Sequence, residues 1–197
     1  MGNYPSGKGF GKMEVEDAIR ERRSLRGFER FEVTDYILNS LKEAARLSPS
    51  CFNNQPWRYV FVTGEKKLKD IHEALTGGNY WAKNASIMVA VSSRKDLDCM
   101  IKGRNYYNFD CGLSASLLIL RAWDLGLVAH PMAGYSPSKA KEILKIPDDQ
   151  EVITLIAIGK HSDNWKEILN EKQWDHEENR PDRKKDSEIF FTDEYSG

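Results

Sequence analysis

Arg22-Arg23-Ser24-Leu25-Arg26 sets three guanidinium groups and a hydroxyl within five residues. A guanidinium is planar and always charged, and its forked donors match phosphate oxygens two at a time. Neighbours at this spacing can therefore splay over one dianion. Taken alone, the pentapeptide fits a solvated charged surface better than a binding site. A second stretch, 48–57, holds Ser50, Cys51, Phe52, Asn53, Asn54 and Gln55 ahead of Pro56-Trp57. Its three carboxamides in a row can read the edge of a flat heterocycle. An ordinary polar turn rarely needs them, so a binding role is the reading adopted. A third, His130-Pro131-Met132-Ala133-Gly134-Tyr135, sets a compact segment between Pro and Gly, suited to close approach of backbone to a planar ligand. By itself it is no more than a turn. A fourth, Arg180-Pro181-Asp182-Arg183-Lys184-Lys185, puts four cations in an acidic tail. They either solubilise the tail or complete a phosphate site begun by Arg22 to Arg26.

Elements to position these residues can be read from periodicity. A short helix is predicted over 14–22. Thr34 caps a clearer one, with Ile37, Leu41, Ala44, Ala45 and Ser48 on one face and Pro49 as its stop. A short strand follows over 59–63, then a helix marked by Leu68, Ile71, His72 and Leu75 and closed by Gly77 and Gly78. Residues 87–92 and 152–158 are nearly all apolar and read as strands buried on both faces. Between them lie a long helix over 106–125, a possible short strand at 127–129, and a helix from Ser136-Pro137 to about Leu144. The long helix carries Phe109, Leu113, Leu117 and Leu120 near one stripe. Its small residues Gly112, Ser114, Ala115 and Ser116 would admit another backbone or helix. Helices and strands mix without a run of βα units, which favours an α+β layer over a doubly wound fold.

The whole chain limits what function is reasonable. With 197 residues, 40% hydrophobic and 30% charged, it can build its own core. The formal net charge of −1 gives no ground for expecting nucleic acid as a partner. The longest apolar runs are about half the roughly 20 residues that span a bilayer, so no membrane partner is expected. Residues 161–197 carry 11 acidic and 6 basic side chains (net −5), leaving 19 acidic and 23 basic (net +4) before them. That tail is too poor in apolar residues to make a core of its own. It is either loose or an arm laid on something else, and its recurring aromatic residues favour an arm on a partner subunit. The domain reading is a flexible lead over 1–12, a body over 13–160 and the arm over 161–197. In the lead, Gly2 with Ser6 fits a myristoylation pattern only nominally, and Gly7, Gly9 and Gly11 follow no strand, so they are not a dinucleotide fingerprint. Cys51, Cys99 and Cys111 leave one over in any pairing and read as free thiols in a reducing cytoplasm.

The ordered set Arg-Arg-Ser-x-Arg-x-Phe, Pro-Ser-x-x-Asn-x-Gln-Pro-Trp, Gly-Leu-x-x-x-Pro-x-x-Gly and a late basic cluster resembles the FMN-dependent nitroreductase family, from about Met13 to Phe191. The resemblance implies an α+β fold with a mainly antiparallel central sheet. It also implies a homodimer holding two FMN at the subunit interface, with terminal arms exchanged. Arg22, Arg23, Ser24 and Arg26 match the stretch gripping the FMN phosphate and ribityl chain. Ser50, Cys51, Phe52, Asn53 and Gln55 match a loop that contacts the flavin, partly from the second subunit. Pro131, Met132, Ala133 and Gly134 match the backbone beside the isoalloxazine, and Arg183 matches a late phosphate-binding residue, with Arg180 or Lys184 less securely placed. The implied chemistry is ping-pong. NADH or NADPH delivers hydride to the flavin, and a nitroaromatic, quinone or similar flat electrophile then takes the electrons. A nicotinamide stacked on flavin needs no GxGxxG, and no side chain is named as catalytic.

Two departures are visible. Ala133 stands where some relatives carry Glu, and only about a dozen residues separate the 87–92 strand from the long helix, where larger members place covering helices. An open pocket, or one lined by the partner, is expected. The same fold carries reductive dehalogenation and flavin destruction, and a flavin-binding sensor or carrier without turnover is the rival from a different class. His72, His130, His161 and His176 are scattered without ligand spacing, so no metal is expected. Cys51 is either a redox-sensitive thiol or, by preference, a small apolar filler.

Overall fold

The computed structural model describes residues 13–197, and the expectations placed on residues 1–12 lie outside them. Strand β7 (Glu151–His161) is the hub of the fold. It pairs antiparallel with β3 (Ile87–Ser93), β6 (Val128–Met132) and the two-residue β1 (Phe28–Glu29), and β2 (Arg58–Val62) joins along β3. Every pairing is antiparallel. This is the α+β sheet expected, with a separate small hairpin of β4 (Met100–Ile101) and β5 (Arg104–Asn105). All seven residues of β3 are buried, because both faces of the sheet are covered.

Alternation along the strands divides the core in two. Ile87, Val89, Val91, Ile156 and Ile158 pack with Leu41 and Ala45 of α2 (Asp35–Arg46) and with Cys111, Ala115, Leu118 and Ala122 of α4 (Tyr107–Asp124). Met88, Ala90, Leu155 and Ala157 face the other way, toward Leu68 and Ile71 of α3 (Glu65–His72), Trp81, and Ala140 of α5 (Pro137–Leu144). Thr34 caps α2 by accepting from the Ile37 amide, and Ser136 caps α5 with Pro137 in its first turn, as read from sequence.

Three readings need adjustment. The helix α3 stops at His72, and residues 77–84 form a 3₁₀ segment rather than a simple glycine stop. The face of α4 bearing Phe109 points outward, Phe109 being 56% exposed, while Tyr107, Cys111, Ser114, Ala115 and Leu118 face the core. This helix has two apolar faces, and periodicity alone does not say which one meets the sheet. The tail divides. Helices α6 (Trp165–Ile168) and α7 (Glu171–Glu178) pack on their own chain through Trp165, Ile168, Leu169 and Trp174, whereas residues from Asn179 on are exposed apart from half-buried Phe191.

Gly159 in β7 lets Phe28 lie flat against the strand, since a Cβ there would sit 2.6 Å from Phe28 Cγ. Phe28 is fully buried and meets Trp81 edge-on, 5.5 Å between ring centroids. Gly159→Ala is expected to destabilise the fold by about 1–3 kcal/mol through overpacking, read as a lower urea midpoint with unchanged slope.

Candidate functional site

The arginine stretch crosses from α1 (Val15–Glu21) to β1 and is held from behind by the tail. Glu177 of α7 is 1% exposed, and its carboxylate accepts from the amides of Arg26 (3.0 Å) and Gly27 (2.8 Å) and lies 3.1 Å from His161 Nε2. Burial alone would raise its pKa, but the bonds from His161, Gly27 and Arg26 outweigh burial and hold the carboxyl below its ordinary range. Arg23 spans the same joint. It donates to the carbonyls of His176 and Asn179, both at 2.8 Å, and so closes the C-terminal end of α7 with a cation. Arg180 returns the contact by donating to the backbone carbonyls of Arg20 and Arg22.

Arg22, Arg23, Ser24, Arg26, His130, His176, Arg180, Pro181 and Arg183 line one cleft of about 390 Å³. No acidic residue is among them, and among the described residues none of these guanidiniums forms an ion pair. Burial, then the like charges of Arg180 and Arg183, lowers the pKa of Arg22 from the guanidinium norm; Arg180 is lowered by burial and by Arg183 and Arg23. A cluster that destabilises its own cations is relieved by an anion, which fits a phosphate.

A second hollow of about 330 Å³ adjoins it, sharing Arg26, His130 and His176, and is lined by Pro131, Met132, Ala133 and Gly134. Taken by themselves, these residues read from sequence as no more than a turn. Val128–Met132 instead forms β6, and the segment 133–134 continues it. The Gly134 carbonyl accepts from the Thr76 amide (3.0 Å), Thr76 Oγ1 (2.9 Å) and Asn79 Nδ2 (2.8 Å), and a Cβ on Gly134 would lie 2.6 Å from that Asn79 nitrogen. His130 places Nδ1 3.1 Å from the Leu25 carbonyl and its ring 4.6 Å from Trp81. Burial first, then the charge of Arg26, pushes its pKa down to about 4. The unfolded imidazole binds its proton at about 6.5. The stability His130 contributes is therefore complete above pH 6.5 and drains away between 6.5 and about 4. In His130→Asn the fall in unfolding free energy across pH 6.5 to 5 is expected to be shallower by about 1 kcal/mol per pH unit, from urea titrations.

The 50–55 loop lies elsewhere. Cys51 N–H donates to buried Asp110 at 2.7 Å, and Ser50 Oγ accepts from the Gln55 amide at 3.0 Å. Phe52, Asn53 and Gln55 all have positive φ (48°, 56° and 48°), a conformation that non-glycine residues avoid, and Phe52 is 86% exposed. The loop leads into β2, whose Arg58 lies level with Ser92 and, through it, with Val152 of β7. The arginine stretch enters β1, level with Lys160. Eight residues of extended β7, about 26 Å at some 3.3 Å each, separate the two levels. Among the described residues, none of 50–55 lines either of these two clefts.

The thiol reading is corrected. Cys51 and Cys99 form a disulfide with Cα atoms 6.3 Å apart, and Cys111 is free and buried. Cys51 is thus half-buried and bonded, not a small apolar filler. The pairing was unreadable because 48 residues separate the partners, and topology alone joins them. Lys184 lines neither cleft, while Arg180 and Arg183 line the first. Sequence reasoning missed Glu177, one of several acidic residues in an acidic tail, along with Thr76, Asn79, His176 and Gln173. It weighed His130 as the head of the 130–135 stretch and, with His176, as a metal ligand, giving neither imidazole a place in the cleft.

The family model described as "Nitroreductase family" matches residues 19–160. A Helicobacter acinonychis protein named oxygen-insensitive NADPH nitroreductase is 33% identical over 182 residues, spanning 72% of this chain and 85% of its own. A Thermus thermophilus protein named NADH dehydrogenase is 26% identical, over 75% and 86% respectively. Among solved structures, one described as an oxidoreductase containing FMN superposes with a TM-score of 0.82 at 29% identity, covering 95% of this chain and 96% of its own. A nitroreductase family protein from Clostridium novyi gives 0.71 at 25% identity, over 80% and 92%. The arginine cleft, the strand edge beside it and the antiparallel sheet that carries both therefore sit in a chain that belongs to the nitroreductase family.

Proposed function

We propose that the chain is an FMN-dependent oxidoreductase that draws electrons from NADH or NADPH and passes them to a nitroaromatic, quinone or similar flat electrophile. The observation that carries the reading is the cluster of guanidiniums unpaired with carboxylates, directly beside the 130–134 edge. The family membership and the FMN named for a 29%-identical structure support it. Bound FMN supplies the two-electron chemistry. The chain binds, orients and shields. Arg22 and Arg183 take the phosphate, Ser24 and Arg26 the polar chain below it, and Arg23 and Arg180 fix the loop that presents them. Pro131, Met132, Ala133 and Gly134 offer a strand edge to the ring, and Ala133 adds no charge there.

The site is completed in a homodimer. One strand end of each copy carries the arginines and the other carries the 50–55 loop. A two-fold axis between copies can bring Ser50, Cys51, Phe52, Asn53 and Gln55 of one to the cleft of the other. Exposed Phe52 and the outward face of α4 fit a covered surface better than a solvated one.

Purified protein is expected to be yellow and to lose its flavin absorbance anaerobically on adding NADH or NADPH. A colourless protein that takes up no FMN overturns the reading. Bound FMN that neither nicotinamide reduces turns it into a carrier. Mixed dimers of an Arg22→Ala chain with an Asn53→Ala chain test the shared site. One centre then holds both lesions and the other none, so about half the wild-type activity per dimer returns.

A further inference from the structure

The 50–55 loop is fastened from three directions. Asp110 takes the Cys51 amide, Asn54 Nδ2 donates to Asp98 Oδ1 at 3.3 Å, and Cys51 is bonded to Cys99 in the segment leading to the β4–β5 hairpin. Both bonded cysteines are half-buried and thus open to a small reductant, whereas Cys111 is 1% exposed and shielded. The fastened segment also holds three non-glycine residues in the left-handed region. Such backbone persists only where its surroundings over-determine it, and the disulfide is the one covalent member of those surroundings.

We propose that Cys51–Cys99 is a reversible thiol-redox site whose reduction by a dithiol releases the 50–55 loop and weakens FMN binding. The proposal rests on the functional reading above for its second half only. One thiolate of the dithiol attacks a sulfur of the pair; the Cys51–Cys99 bond breaks, a mixed disulfide forms, and the departing cysteine takes a proton. The second thiol of the reductant then displaces the remaining cysteine and closes its own disulfide. Two electrons and two protons pass from the dithiol to the pair, and a mild oxidant such as a peroxide reverses the change. Once free, the Cys51 side chain no longer ties Phe52 and Asn53 to the hairpin, and the loop can relax from its left-handed turn.

Full-length protein, purified without reductant, is alkylated with iodoacetamide before and after dithiothreitol treatment and weighed by mass spectrometry. FMN affinity of both forms is then read anaerobically by fluorescence after the reductant is removed. No alkylation before treatment, two adducts after it, and an FMN dissociation constant at least tenfold higher in the reduced form are expected. Cys99→Ser should show the weak affinity at all times and ignore the dithiol. Two adducts without any reductant, zinc co-purifying on the two thiols, or equal FMN affinity in the two forms overturns the proposal. Protein that binds no FMN in either form overturns the functional reading and the coupling with it, while the adduct count still reports the bond itself.

Discussion

Arg22→Ala is expected to raise the FMN dissociation constant about 100-fold while leaving the FMN-free protein as stable as before. A forked guanidinium on a phosphate makes two charge-assisted bonds at about 1.5–3 kcal/mol each. Part of that gain offsets the burial of Arg22 and its repulsion from Arg180 and Arg183, leaving a net of about 2.7 kcal/mol, or two decades. Among the described residues the Arg22 guanidinium makes one weak bond, 3.3 Å to Ser24 Oγ, so little of the fold depends on this side chain. Removing a crowded cation can even raise the melting temperature of the FMN-free form. Arg22→Lys keeps charge without the fork and should fall between the two, at about tenfold. Fluorescence titration with FMN gives the constants, and a melting curve without FMN gives the control. Equal affinities in all three proteins would remove the phosphate from this cleft.

Glu177→Ala should cost more in stability than any surface change, about 3–5 kcal/mol, which is about 10 °C or more in melting temperature. The variant removes the acceptor of the buried Gly27 amide and the half-buried Arg26 amide, together with the carboxylate that His161 Nε2 faces. Glu177→Gln keeps one acceptor oxygen and should lose about 2 kcal/mol. The acid side follows from the sign of the shift. Because the folded carboxyl titrates below its unfolded value of about 4.3, its contribution is whole above that pH and is lost as pH falls through the lower folded value. Wild type and Glu177→Ala should therefore differ widely at pH 7 and converge in acid. A constant gap from pH 7 to 3 would contradict the assignment.

How much of this was legible depended on whether a signal was local. The caps at Thr34 and Ser136, and the apolar run that became β3, are decided by neighbours within a few residues, and they came out where expected. The arginines were visible as a motif, yet their division of labour was not. Arg23 serves the end of α7 and Arg22 faces the cleft, a difference fixed by residues some 155 positions away. Glu177 gave no signal, because a carboxylate buried against two amides has the same letter as one in solvent. Cys51 was placed correctly in the loop and wrongly as an unbonded side chain, since its partner arrives through the β2–β3 ladder and the turn after it.

The length of β7 also acts as a ruler. Its eleven residues set the spacing between the arginine stretch and the 50–55 loop, and in the proposed homodimer symmetry would apply that spacing twice. A single-residue insertion between Val152 and Lys160 would lengthen the gauge by about 3.3 Å and turn every later side chain to the opposite face. Both centres of an assembled pair would be misaligned by one genetic event. Length changes should consequently be tolerated in the β4–β5 hairpin and the exposed terminus, and hardly at all along this strand.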